Sequence, residues 1–156
     1  MTEKAREGPS DTVVCREVRL SYGPRRKCEA IKDSRSAAAL ARRIVDPRAD
    51  REHFAGIYLD ARNVPLGWRI VSIGTLTGSL VAPREVFRPA ILVGAAALIV
   101  VHNHPSGDSR PSLEDAAVTD RLVSVGDMIG IRVLDHIVLG DREHYSFADE
   151  GRLPQA

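Results

Sequence analysis

Long apolar runs, cysteines and aromatic residues are all scarce in this 156-residue sequence. The longest apolar stretch is the twelve residues from Ala90 to Val101, well short of the roughly 20 that a helix needs to cross a bilayer. The opening residues, MTEKAREGPSDT, mix acids with bases and lack the apolar centre of a secretory signal, so the expected compartment is the cytoplasm, with no membrane partner. Only Cys15 and Cys28 are present, at a spacing that matches no paired-cysteine zinc pattern; reduced, buried thiols are expected. Aromatics are just 4%, yet 44% hydrophobic and 28% charged residues are ordinary values for a globular chain, which disfavours membrane and disordered classes.

Positive and negative charges nearly cancel, at a net +1, but they are unevenly spread. Residues 1–51 carry 13 Lys and Arg against 8 Asp and Glu, and the remainder 9 against 13. A basic N-terminal third admits an acidic partner such as nucleic acid, although a solvated surface is the commoner reading.

The length suits one domain over 12–151, with tails at 1–11 and 152–156. Thr12–Tyr22 alternates in part like an edge strand. Asp33 or Ser34 can cap a helix through AAALARRIV that Pro47 ends. Phe54–Leu59 and Pro65–Ser72 predict a hairpin about Asp60–Asn63, and a short strand is expected over Leu76–Val81. Pro83 opens a helix over Arg84–Val93 with Pro89 inside it. Ala95–Val101 has the length and continuity of a strand buried on both faces. After the irregular NHPSGDSRP, Ser112 caps a helix whose Val118, Leu122, Val125 and Ile129 form one stripe ahead of Gly130. Ile131–Leu139 is a further strand, and Tyr145–Ala156 a short closing segment. Strands alternating with helices imply a sheet covered by helices.

The chemistry lies in VHNHPSGDSRPSLED. A period of two puts His102 and His104 on one side of a strand end, where both imidazoles can reach one ion. A carboxylate as third ligand leaves a position open, the pattern of a catalytic rather than a structural zinc, and Asp115 in the first turn of the following helix can supply it. Taken alone, Ser112 and Asp115 read first as a helix-capping pair.

The spacing His102-Asn103-His104-Pro105, six residues, then Ser112-Leu113-Glu114-Asp115 resembles the H-x-H-P-x6-S-x-x-D pattern of the JAMM (MPN+) metalloproteases. GTLTGSLVAPREVFRPA, HNHPSG, Val133-Leu134-Asp135-His136 and Ser146-Phe147 are similar to the RadC branch, from about Ser34 to Gly151. The resemblance implies an α/β fold, a three-layer α-β-α sandwich with a mixed sheet, JAB/MPN-like and related in architecture to cytidine deaminases. It implies one zinc held by His102, His104 and Asp115, an oxyanion-stabilising hydroxyl at Ser112 and a catalytic glutamate at Glu52. The activity implied is hydrolysis of an amide or isopeptide bond in a protein or peptide, with a homo-oligomer left open. The alternative is a non-catalytic DNA-repair or DNA-associated module with a structural metal.

Two departures stand out. Asn103 lies between the histidines, as in RadC-like proteins, where eukaryotic JAMM isopeptidases usually have Ser or Thr. The first 33 residues are too few for the helix-hairpin-helix region of longer RadC proteins, so a short stand-alone form is expected. His53 and His144 read as surface residues. His136 reads first as a hydrogen-bonded core histidine and second as a residue that orients a metal ligand.

Overall fold

A strand as uniformly apolar as ALIVV can be stable only where helices cover both faces of its sheet, and the chain is arranged in that way. The computed structural model describes residues 23–24, 27–74 and 81–154. In order these form α1 (Ser34–Ala41), β1 (Glu52–Leu59), β2 (Pro65–Gly74), α2 (Pro83–Leu92), β3 (Ala97–Asn103), α3 (Leu113–Ile129), β4 (Arg132–Leu139) and β5 (His144–Ser146). The expected tail and the strand over Thr12–Tyr22 lie outside the described residues, as does the strand expected at Leu76–Val81 apart from buried Val81.

The five strands are ordered β2-β1-β3-β4-β5, so β3 is central and all seven of its residues are buried. It pairs antiparallel with β1 and parallel with β4, giving the expected mixed sheet. Alternation divides its side chains between two cores. Leu98 and Val100 pack with Phe54, Tyr58 and the α2 and α3 residues Val86, Phe87, Val118 and Leu122. Ile99 and Val101 join Ala55, Ile57, Ile137 and the α1 residues Ala37, Ala38 and Ala41. Each fully buried Leu or Ile contributes about 1.5–3 kcal/mol relative to exposure, so both faces of the sheet hold their helices. The fold is the expected α-β-α sandwich.

Local chemistry explains the joints. Asp60 Oδ1 accepts the backbone N–H groups of Arg62 and Val64 at 2.8 and 2.9 Å and so closes the β1–β2 hairpin. Helix α1 is capped by Asp33 and stops at Ala41, earlier than the expected limit at Pro47. Its chain tightens there, with Arg43 and Ile44 bonding three residues back to Leu40 and Ala41. Ser112 caps α3, and Gly130, at φ 72°, ends it in the left-handed conformation that glycine adopts without strain.

Three expectations are corrected. The closing segment contains a strand, β5, held by Asp135, whose carboxylate accepts from Ser146 Oγ at 2.6 Å and from the Ala148 N–H at 3.0 Å. A three-residue strand is too short to show a period, which hides it in the sequence. Cys28 is exposed rather than buried, and Cys15 lies outside the described residues. His53 and His144, expected as surface residues, are half-buried, in β1 and β5. Among the described residues no helix is long and apolar enough to cross a membrane.

Candidate metal centre

Parity along β3 decides what lies at its carboxyl end. His102 continues the Leu98–Val100 series and therefore faces α3, where the N-terminal turn carries Asp115. His102 and Asp115 are buried, and His104 is 14% exposed, so the cluster opens to solvent on one side. The Nε2 atoms of the two histidines are 3.0 Å apart. Asp115 Oδ1 is 3.2 Å from His102 Nε2, and its Oδ2 is 3.3 Å from His104 Nε2.

These separations suit a cation. Nitrogen and oxygen ligands at about 2.0–2.2 Å from one tetrahedral ion stand roughly 3.3–3.6 Å from each other, close to the spacings seen here. His102, His104 and Asp115 can thus hold a metal ion, as the H-x-H and S-x-x-D spacing predicts.

Hydrogen bonds set both histidines for that role. His104 Nδ1 lies 2.7 Å from the Asp108 carbonyl, which can only accept, so Nδ1 carries the proton and Nε2 faces the cluster. A longer chain acts on His102. Thr119 Oγ1 donates to the Asp115 carbonyl at 2.7 Å and is 2.6 Å from His136 Nδ1. With its single proton used in that way, the hydroxyl accepts from His136 Nδ1–H. His136 Nε2, 2.9 Å from His102 Nδ1, then accepts from it and leaves His102 Nε2 with a free lone pair toward the cluster. His136 is fully buried, and desolvation pushes its pKa well below the ordinary histidine range, which keeps it neutral. His136 is thus the hydrogen-bonded core histidine expected, and its partner is the candidate ligand His102. Thr119 had no local signal, because its partner is 17 residues away on β4.

Asp115 is pulled two ways. Burial opposes its ionisation, but hydrogen bonds from the protonated forms of His102 and His104 outweigh that and hold the carboxyl far below the usual range; a cation that takes the place of those protons meets both Nε2 lone pairs. His104 is shifted up, first by its bond to Asp115 and then, against partial burial, by the Asp108 carbonyl and the charges of Asp115 and Glu52. Glu52 opens β1 on the same face as Phe54, whose ring stacks on His102 with centroids 6.1 Å apart. The Glu52 charge is thus felt at His104. Ser112 is both cap and ligand support: its Oγ accepts from Asp115 N at 3.1 Å and donates to Asp115 Oδ2 at 2.8 Å. His53 and His144 take no part in the metal cluster.

The loop from His104 to Pro111 is held by a close approach. The Asp141 N–H donates to the Gly107 carbonyl at 2.9 Å, and a Cβ on Gly140 would come within 2.6 Å of that same oxygen. Only glycine lets this loop pack on the β4–β5 turn.

Thr119→Val should break the chain behind His102 and lower metal affinity about 10- to 100-fold, with Thr119→Ser restoring it. Competition against a chelator measures this; equal affinities for Thr119→Val and wild type would show that the chain does not set the ligand.

An α-β-α domain with a two-histidine, one-aspartate cluster where a central strand meets a helix N-terminus defines a JAB-type domain capable of metal binding. The family model of the RadC-like JAB domain matches residues 31–152, and the chain belongs to that family. It is 52% identical over 101 residues to a UPF0758 protein of Methanosarcina acetivorans, covering 65% of this chain and 44% of the relative. A UPF0758 protein of Desulforamulus reducens is 51% identical over 104 residues, 67% of this chain and 46% of the relative. One from Bacillus cereus is 42% identical over 138 residues, covering 88% and 60%. The chain spans about half the length of the curated relatives it matches.

Proposed function

We propose that this domain is a zinc-dependent hydrolase that cleaves an amide or isopeptide bond in a protein or peptide substrate. The observation that carries the reading is the pair of histidines held with both Nε2 atoms turned toward Asp115, beside a glutamate at the start of the adjacent strand. Three protein ligands and one solvent-facing side are what a catalytic site needs and a closed structural site lacks. Zinc bound there would supply an acidified water, with a pKa of about 7, and polarise the scissile carbonyl.

The chain's own residues do the rest. The Glu52 carboxylate takes a proton from the attacking water and delivers it to the leaving amine nitrogen. As charge grows on the amide oxygen, the Ser112 hydroxyl turns its proton from Asp115 Oδ2 to that oxygen. Asp115 Oδ2 keeps the Ser112 backbone N–H at 2.7 Å throughout, so the carboxylate stays in place while the hydroxyl moves.

The test is to load the protein with zinc and present a broad library of amide and isopeptide substrates. Cleavage that a chelator abolishes and zinc restores is the expected result. Partner binding without cleavage anywhere in the library would overturn the hydrolase reading in favour of an accessory module. Ser112→Ala should keep its metal, lose about 0.5–2 kcal/mol of stability with the cap, and lower turnover about 10²- to 10³-fold. Unchanged turnover would confine Ser112 to capping.

A further inference from the structure

Asn103 sits between two candidate ligands, and its fully buried amide is spent on the chain around Glu52. Its Nδ2 donates to the Arg51 carbonyl at 3.0 Å, and its Oδ1 accepts the His53 N–H at 2.7 Å. The Arg51 carbonyl belongs to the peptide unit that precedes the Glu52 Cα, and the His53 N–H to the one that follows it. Since each peptide unit is planar, one side chain that grips both of them fixes the two soft dihedrals of Glu52.

The grip comes where the ladder gives out. The register between β1 and β3 runs from Leu59↔Ala97 to Phe54↔His102, and next beyond it a side chain takes the place of a main-chain partner for the His53 N–H. A planar group with a donor at one end and an acceptor at the other is required, which asparagine has and aspartate, leucine and alanine lack. Because Asn103 is itself flanked by His102 and His104, the same short segment carries two metal-ligand candidates and the clamp. Any shift of this strand end moves Glu52 with the ligands.

We propose that Asn103 is the positioning residue for Glu52, locking its backbone so that the carboxylate stays in register with the His102–His104–Asp115 cluster. The inference rests on the reading of Glu52 as the base. It also accounts for an asparagine between the histidines without assigning it any contact with substrate.

The test uses the full-length chain loaded with zinc. Asn103→Ala should speed hydrogen exchange at the His53 amide by about tenfold or more while zinc stoichiometry stays at the wild-type level. Turnover should fall about 10- to 100-fold with KM changed little, the signature of a misplaced group rather than of lost binding. Adding Glu52→Gln to Asn103→Ala should cost little beyond Glu52→Gln alone, because the clamp acts through Glu52. Unchanged His53 exchange, or losses that multiply in the double variant, would overturn the proposal. If Asn103→Ala fails to fold by thermal melting, Asn103→Ser carries the same measurements, since a hydroxyl on one carbon is too short to hold both peptide units. Should the wild-type protein cleave nothing in the library, the hydrolase reading falls by itself, and His53 exchange alone decides the clamp.

Discussion

Asp115→Asn leaves the helix capped but removes the anionic member of the cluster, and metal binding falls by more than the 10- to 100-fold expected from loss of a supporting residue. The reason is geometric: Asp115 Oδ1 and Oδ2 are 3.2 and 3.3 Å from the two Nε2 atoms, so among the described residues Asp115 is the carboxylate that completes the cluster. Asparagine retains an oxygen for the Ser112 N–H, now 2.7 Å from Oδ2, which separates metal loss from cap loss. Asp115→Ala removes both and adds about 0.5–2 kcal/mol of destabilisation. Equilibrium dialysis and thermal melting on the same preparations measure the two effects. Wild-type metal content in folded Asp115→Asn would sink the ligand set.

The second large effect is on rate. Glu52→Gln keeps the size of the side chain and its hydrogen-bonding capacity but can no longer accept the proton from water, so turnover drops about 10²- to 10⁴-fold. Fold, metal content and substrate affinity stay close to wild type, because Glu52 is no member of the ligand cluster and begins its strand rather than filling its core. Zinc content, melting, affinity and cleavage are to be read together, since a rate loss that follows metal loss says nothing of Glu52. Full activity in a folded, zinc-loaded Glu52→Gln protein would remove this residue from the reaction.

The two effects also separate the competing readings. A metal that merely braces the fold predicts that Asp115→Asn lowers stability and that Glu52→Gln changes nothing. A hydrolase predicts the reverse weighting, with Glu52 silent in melting and decisive in rate.

Much of the fold could be read from local pattern, and the ligand set from that pattern together with the family resemblance. A strand's period of two aligned His102 with His104, and the third position of a capped helix placed Asp115 facing back toward its own cap. Gly130 and the uniform burial of β3 were equally local matters. Helix α1 stops short of the expected limit, since the tightened turn after Ala41 overrides the pattern that runs on to Pro47. The strand β5 escaped notice because what defines it is a buried aspartate eleven residues earlier on β4.

By itself, then, the sequence determined a sheet covered by helices, because hydrophobic period and capping act over a few residues along one element, and its resemblance to the JAMM pattern singled out the three candidate ligands. The tertiary structure alone decided which nitrogen of each histidine faces the cluster, through Asp108 and the Thr119–His136 chain, and how Glu52 is held, through Asn103. Apart from the Asp108 contact within one loop, these depend on which strands and helices become neighbours, and hydrogen bonds between elements 17 to 52 residues apart in the chain leave no periodic trace in it.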